Sequence, residues 1–297
     1  MKQILITGIN SYIGNNIRQY LNVDPSFHVE SISVRSREWI QSDFSKYDTV
    51  IDVAGIAHVK PLKQHESLFY QVNRDLAIEI CRKAKVERVK QFIYLSSMNV
   101  FGDTTEMITT DTIPKPKNFY GNSKLEADNA IQAMNCSEFH TTCVRPPVIY
   151  GVGCKGNFRL LEMIAKHTLI FPDYPNQRSV LYIDNLVEFI KRIIQNNDSG
   201  IFYPQNREYV STSEMVAVIA EVHKHKLLLT KRYNSIIQYL VDHTNRVERV
   251  FGDDRYDMSM SNYENFSYCK SSFYESIVRM AQQSIGMEYK KGMKLAS

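Results

Sequence analysis

The chain has 297 residues, 43% hydrophobic and 23% charged, a globular composition that excludes collagen, coiled coil and a low-complexity disordered protein. Lys plus Arg number 36 against 32 for Asp plus Glu, and the resulting +4 is scattered, too mild for a nucleic-acid binder and suited to anionic small molecules. The five cysteines (Cys81, Cys136, Cys143, Cys154, Cys269) form no CxxC pair, so they read as reduced thiols of a cytoplasmic protein rather than a disulfide framework or zinc site.

Only four residues, Ile4 to Thr7, separate Met1-Lys2-Gln3 from Gly8, too few for the apolar region of a signal peptide. No window approaches the roughly 20 apolar residues of a membrane span, so neither secretion nor membrane insertion is expected. Short β-branched runs then alternate with amphipathic stretches, which predicts βαβ units and a parallel sheet. Strands are expected at Gln3–Thr7, Val29–Val34, Val50–Val53, Gln91–Ser96, Thr141–Arg145, Val180–Ile183 and Ile201–Tyr203. Helices are expected from near Ile13, Tyr70, Tyr120, Phe158, Ile183 and Ser213, the last behind the capping-box spacing Ser211 to Glu214.

After about Tyr203 the alternation gives way to a helix, the apolar stretch Lys226–Thr230 and a polar segment through Asn265. The economical reading is a Rossmann-type α/β fold, a doubly wound parallel sheet, with a smaller C-terminal α/β substrate-binding domain. Residues 1–153 with about 179–205 form the dinucleotide-binding part, about 154–178 with 206–285 the second part, and 286–297, with Lys290, Lys291 and Lys294, a frayed tail.

The first strand runs into Thr7-Gly8-Ile9-Asn10-Ser11-Tyr12-Ile13-Gly14 and then a helical pattern. Glycines at such a turn let the backbone approach a pyrophosphate, and the helix N-terminus offers amide donors. Ser11 stands where the dinucleotide fingerprint has its middle glycine; its hydroxyl could bond a phosphate oxygen but also crowds the approach. The second strand ends in Val34-Arg35-Ser36-Arg37 instead of the acid that binds a ribose 2′-hydroxyl. Arginine there accommodates a 2′-phosphate, so Arg35 favours NADP(H), with NAD(H) as the alternative if Arg35 is a solvated loop residue.

Tyr120-Gly121-Asn122-Ser123-Lys124 places a phenol and an ammonium one helical turn apart. A nearby cation favours the phenolate, which predicts a lowered Tyr120 pKa useful for proton transfer. With 18 tyrosines in the chain the spacing alone is weak, so placement carries the argument. Upstream, the strand from Gln91 ends in Ser96-Ser97-Met98-Asn99-Val100-Phe101-Gly102, and ligands of open α/β sheets bind at such strand ends. Ser97 could bond a substrate oxygen there, or simply cap the strand.

Four segments in order (Thr7–Gly14, Ser96–Gly102, Tyr120–Lys124 and Arg145-Pro146-Pro147-Val148-Ile149-Tyr150-Gly151) resemble an extended short-chain dehydrogenase/reductase of the NAD-dependent epimerase/dehydratase family. The resemblance covers residues 1 to about 205. It implies Ser97, Tyr120 and Lys124 as the catalytic trio. It also implies cofactor contacts at Gly8, Asn10, Ser11, Tyr12, Ile13, Gly14, Arg35, Asp43, Phe44, Ala54, Gly55, Ala57, Asn73 and Pro147, Asn73 sitting where the family has a structural asparagine. Substrate contacts follow at His58, Ser97, Asn99, Tyr120, Asn157 and Arg178, the last two toward a nucleotide diphosphate; Arg255 is a further candidate from the second domain. His58 has no proton-transfer step, and a pocket-wall role suits it; Asn99 could touch the sugar or cap the strand. The resemblance further implies a UDP-sugar substrate and a homodimer packed through helices near Ile78 and Tyr120.

Dehydratases of this family place an Asp-Glu pair after the catalytic hydroxyl, and here Met98 and Asn99 stand there, neither able to act as acid or base. The segments at 145–161 and 178–189 resemble capsule and O-antigen enzymes. With Arg35, this points first to reduction of the 4-keto group of a UDP-4-keto-6-deoxy-N-acetylhexosamine for surface polysaccharide synthesis. A UDP-hexose 4-epimerase with tightly bound NAD is the alternative. A regulator that binds NADP(H) without turnover is the alternative from another class, opposed by the intact trio.

Overall fold

Alternation along the strands explains the layering. A computed structural model describes the backbone of residues 1–57, 62–102 and 107–295, and the side chains of these except at 157, 245–246 and 285–295. In chain order its elements are β1 (Lys2–Thr7), α1 (Tyr12–Leu21), β2 (Phe27–Ile32), β3 (Thr49–Asp52), α2 (Glu66–Tyr70), α3 (Leu76–Val86), β4 (Gln91–Leu95), α4 (Phe119–Gln132), β5 (His140–Val144) and β6 (Val148–Tyr150). There follow α5 (Asn157–His167), β7 (Ile170–Pro172), β8 (Val180–Tyr182), α6 (Ile183–Asn196), β9 (Gly200–Phe202), α7 (Thr212–Val222), β10 (Leu228–Thr230), α8 (Asn234–His243), α9 (Asn245–Phe251) and α10 (Phe273–Leu295).

Six of the strands form one parallel sheet in the order β2-β1-β3-β4-β5-β9. Successive side chains point to opposite faces. Ile4, Ile6, Ile51, Ile93 and Val144 therefore pack into one core with Ile17 and Leu21 of α1 and the apolar stripe of α6, while Leu5, Val50, Phe92, Tyr94 and Cys143 pack into a second with Ala77 and Ile80 of α3 and Ala127 and Ile131 of α4. This is the doubly wound arrangement expected from the sequence. Each fully buried Ile or Phe contributes about 1.5–3 kcal/mol, so α6, burying Leu186, Phe189, Ile190, Ile193 and Ile194, is fixed by packing. The first core continues through Phe158 of α5, Met215 and Ile219 of α7, and Phe273, Ile277 and Met280 of α10. The chain leaves β1 toward β2 on one side and returns to β3 on the other, so β1/β3 is the switch point at which such sheets bind ligands.

Several boundaries differ from the sequence reading, for local reasons. β2 ends at Ile32 rather than Val34 because its partner Thr7 is the last residue of β1 and offers no further ladder. The expected strand at Val180 is not part of the large sheet; β8 pairs with the unforeseen β6 in a separate two-stranded unit. The apolar stretch after Lys226 forms β10, which pairs with β7, another three-residue strand too short to show a period. The polar segment before Asn265 contains α8 and α9, and the expected frayed tail continues as helix through Leu295, anchored by Phe273, Ile277 and Met280 at helical spacing. Between α2 and α3 the helix widens into a π-turn at Gln71–Asp75, the kind of bulge that re-aims a side chain. All five cysteines are free thiols, and among the described residues no helix is long and apolar enough to cross a membrane.

Candidate active site

The C-terminal ends of β1, β3, β4 and β5 open onto a cleft of about 1780 Å³, closed on the far side by residues 153–156, Arg178, and a stretch from Glu248 to Asp254. Along one rim runs the turn after β1. Gly8 has φ +91°, and a Cβ on it would lie 3.2 Å from the amide nitrogen of Ala54, so only glycine lets this turn lie against the end of β3. Gly14 faces the other way, inward: a Cβ there would come within 3.0 Å of Val53 and 3.2 Å of Ile6, making it the close-packing glycine of α1 on the sheet. Ser11 resolves the question left by its position. Its Oγ accepts from the Gly14 amide at 2.8 Å as the N-cap of α1, so the hydroxyl terminates the helix. The amides of Tyr12 and Ile13, in the first turn, have no intrahelical acceptor and stand beside the cleft.

Arg35 lines the same cleft beyond β2, and its guanidinium has no partner among the described residues, whereas neighbouring Arg37 is tied to Glu79 at 2.6 Å. The glycine turn that a Cβ would fill, the exposed helix N-terminus and the unpaired Arg35 together fit the pyrophosphate and 2′-phosphate of a nicotinamide dinucleotide.

Ser97 caps a short turn after β4, accepting from the amide of Asn99 at 3.2 Å and from its Nδ2 at 3.1 Å. It is also the hydrogen-bond partner of the Tyr120 phenol. Asn99 therefore orients Ser97 through its side chain. Gly121 makes this approach feasible, since a Cβ on it would sit 2.5 Å from the Asn99 carbonyl oxygen. Tyr120 is the second residue of α4, whose N-cap Asn118 accepts from the Gly121 amide at 2.9 Å. One turn on, Lys124 donates to the Leu95 carbonyl at 2.8 Å and lies over the Tyr94 ring at 4.5 Å.

The electrostatics correct one expectation. Burial pushes the Tyr120 phenol above its ordinary value, with the Ser97 hydrogen bond pulling down and Asp128 adding to the rise. Burial in turn lowers Lys124, opposed by Asp52 and Asp128. The ammonium is aimed at the Leu95 carbonyl rather than at the phenol, so the protein alone does not give the lowered tyrosine pKa that the spacing suggested.

Behind the trio lies a buried pair that sequence reasoning missed. Arg145 Nε donates to Asp128 Oδ2 at 2.8 Å, and Ser96 Oγ donates to the same oxygen at 2.9 Å. The guanidinium is sandwiched near the rings of Phe101 and Tyr203, 5.5 and 5.8 Å away. Removing one member of so buried a pair costs about 3–5 kcal/mol. Its signal was present: Asp128 follows Lys124 by four residues, on the same face of α4.

Of the other expected contacts, Asn10, Tyr12, Ile13, Ala54, Gly55, Ala57, Pro147, Asn99 and Arg178 line the cleft. Asp43 and Phe44 do not. Asp43 folds back onto Ser45, its Oδ1 accepting from the Ser45 amide at 2.9 Å, and Phe44 is buried in the core against Trp39. Asn73 has the structural role expected of it: from the π-turn its Oδ1 accepts from the Ile56 amide at 2.8 Å and its Nδ2 donates to the Ile56 carbonyl at 3.1 Å, so it holds the strand end. Arg178 is partly engaged, donating to the Gly252 carbonyl at 3.0 Å and facing Asp254 at 3.5 Å. Arg255 pairs with Asp253 and is not part of the cleft wall. His58 and the side chain of Asn157 lie outside the described residues. Glu248, Arg249, Asp253 and Asp254 join the wall without any motif to announce them.

A parallel sheet with its cleft at the β1/β3 switch, a glycine turn feeding a helix, and a Ser-Tyr-Lys constellation define an extended short-chain dehydrogenase/reductase, an enzyme class dependent on nicotinamide dinucleotides. The chain belongs to the NAD dependent epimerase/dehydratase family, which it matches over residues 4–210. It is 28% identical to a UDP-glucose 4-epimerase of Vibrio cholerae, over 74% of this chain and 75% of the relative. Its fold resembles that of the UDP-N-acetylglucosamine 4-epimerase from Bacillus cereus (TM-score 0.76, 16% identity, 94% of this chain and 98% of the other). It also resembles the dTDP-4-dehydrorhamnose reductase of Bacillus anthracis in complex with NADP (TM-score 0.71, 18% identity, 95% and 99%).

Proposed function

We propose that the protein is an NADP(H)-preferring nucleotide-sugar 4-ketoreductase, acting on a UDP-4-keto-6-deoxy-N-acetylhexosamine destined for surface polysaccharide. The observation that carries this is Arg35, unpaired at the cleft where an NAD-retaining enzyme has an acid. Residues 1–153 with about 179–205 hold the dinucleotide, and about 154–178 with 206–285 hold the sugar nucleotide. The Tyr12 and Ile13 amides would hold the pyrophosphate and Arg35 the 2′-phosphate, and Lys124 and the Pro147 segment would hold the nicotinamide riboside.

When bound, the dinucleotide supplies the hydride. Ser97, pre-oriented by Asn99, donates a hydrogen bond to the C4 oxygen of the sugar, and Tyr120 delivers its proton to that oxygen as negative charge develops. A phenol held up by burial keeps its proton until the substrate oxygen needs it, which suits reduction. Arg178, with one side of its guanidinium on the Gly252 carbonyl, presents positive charge to the diphosphate. Met98 is packed into a small apolar cluster and Asn99 carries no titratable proton, so these positions offer no acid-base pair for dehydration.

A 4-epimerase is the second reading, favoured by the similarity to the Vibrio cholerae relative. The same trio would then work in both directions on a UDP-hexose. The test follows reduced-nicotinamide absorbance with NADPH and, separately, NADH after a UDP-4-keto-6-deoxy-N-acetylhexosamine is generated in place. Stoichiometric consumption of NADPH is expected. Interconversion of UDP-hexose C4 epimers with no net consumption overturns the reductase in favour of the epimerase.

A further inference from the structure

Four formal charges are buried between the sheet and α4: Asp52, Lys124, Asp128 and Arg145. They sum to zero, and one pair is explicit, Asp128 with Arg145. That leaves Lys124 and Asp52. Asp52 is the last residue of β3, an acid after the apolar Val50 and Ile51, and nothing in the proton transfer just described uses it.

Register fixes where its side chain goes. Asp52 is the lateral partner of Thr7 on β1 and of Tyr94 on β4, and paired residues of a parallel sheet project from the same face. Thr7 Oγ1 accordingly donates to Asp52 Oδ1 at 2.5 Å, joined by the Ala54 amide at 3.1 Å. Tyr94, on the other side, carries the Lys124 ammonium 4.5 Å above its ring. The ammonium also lies near Gly55, three residues beyond Asp52, where an added Cβ would meet Lys124 Nζ at 3.4 Å. Asp52 Oδ2 is fully buried and has no hydrogen-bond partner, a costly arrangement for a carboxylate unless a nearby cation compensates it.

We propose that Asp52 is a positioning residue whose carboxylate is the resident counter-charge of Lys124, as Asp128 is of Arg145. This deepens the reading of Lys124 as part of the active site and rests on it. The surroundings agree with the assignment. The ammonium touches the Leu95 carbonyl and the Tyr94 ring of β4 and feels the charges of Asp52 and Asp128; Asp52 is held by Thr7 and Ala54, lies beside Tyr94 in register and feels the charge of Lys124. Lys124 is the only cation in this set that Asp128 does not already engage directly. Burial drives Asp52 up, opposed by the Thr7 hydrogen bond and then by the Lys124 charge, and drives Lys124 down, opposed by Asp52 and then by Asp128. Through Thr7 and Ala54 the same carboxylate ties the glycine turn to the lysine, so both walls of the dinucleotide site share one buried anion.

The test reads titration rather than turnover, which keeps it separate from the catalytic reading. With the full chain labelled at lysine Cε with 13C, the resonance lost in Lys124→Met identifies Lys124. In Asp52→Asn its titration is expected to move down by about one to three pH units. An unmoved midpoint overturns the proposal and leaves Asp52 as a structural ligand of Thr7 and Ala54. Should Asp52→Asn fail to fold, the reciprocal measurement decides. Infrared spectra of Lys124→Met are expected to show a protonated carboxyl C=O band, absent from the wild type at the same pH, because Asp52 has lost its cation. Absence of that band also overturns it. Loss of turnover in Tyr120→Phe tests the active-site reading independently of either result.

Discussion

The two walls of the cleft are built on different principles. The strand-end wall is assembled by neighbours in register: Thr7, Asp52 and Tyr94 lie side by side across three strands, and Ser96 and Arg145 come immediately after the last paired residues of β4 and β5, Leu95 and Val144. Its polar atoms are pinned by buried bonds such as Arg145 to Asp128 at 2.8 Å and Lys124 to the Leu95 carbonyl. The far wall joins segments some seventy-five residues apart, Arg178 reaching Gly252 and the Gln177 amide reaching Asp253 Oδ1 at 2.7 Å, and it sits on loops beside the short α9. Strand ends held by backbone ladders, with α4 packed on them through buried bonds, fix side chains closely, which suits proton transfer. Loops tolerate replacement without disturbing the core, which suits the proposed choice of sugar nucleotide on the other side.

The sharpest way to break this division is Tyr120→Phe. If the strand-end wall performs the chemistry, turnover falls about 10²- to 10⁴-fold while the thermal midpoint stays close to wild type, because the ring remains packed against Phe69 at 6.3 Å. Unchanged turnover in a steady-state assay would move the proton transfer elsewhere. Arg178→Ala addresses the opposite wall and should act on binding. KM for the sugar nucleotide is expected to rise roughly tenfold with kcat within about twofold, since a charge-assisted contact is worth about 1.5–3 kcal/mol and part of it is spent on Gly252. A fall in kcat with KM unchanged would show that the far wall also sets the reacting geometry.

The same contrast governs what was legible in the sequence. The glycine turn, the serine at the end of β4 and the Tyr120/Lys124 spacing are local patterns, and each lands on the cleft where the alternation of strands and helices placed it. Function within those patterns was less legible. Ser11 and Asn73 are turned to local hydrogen bonds, and Phe44 is in the core, because backbone amides and apolar neighbours compete for the same side chains. The rise in the Tyr120 pKa depends on burial, a property of the packed molecule, and no spacing rule contains it. Glu248 to Asp254 reached the cleft through packing of Phe251 in α9 against Phe171 and Tyr174, contacts between segments far apart in the chain.

The smallest effect separates two roles for one atom. Ser11 Oγ accepts from the Gly14 amide at 2.8 Å, and an N-cap hydroxyl is worth about 1 kcal/mol against alanine and only a few tenths against glycine. Urea unfolding of Ser11→Ala without cofactor should therefore lose about 1 kcal/mol, and Ser11→Gly far less. Dinucleotide affinity, measured by fluorescence titration, should change by less than about threefold in both variants, because the Tyr12 and Ile13 amides proposed to hold the pyrophosphate are retained. The reverse pattern, unaltered stability with affinity reduced in both variants, would mean that the hydroxyl leaves its cap for a phosphate oxygen when the dinucleotide binds. In that event the strand-end wall would be less fixed than its register implies, and the glycine missing from the fingerprint would have been replaced by a ligand.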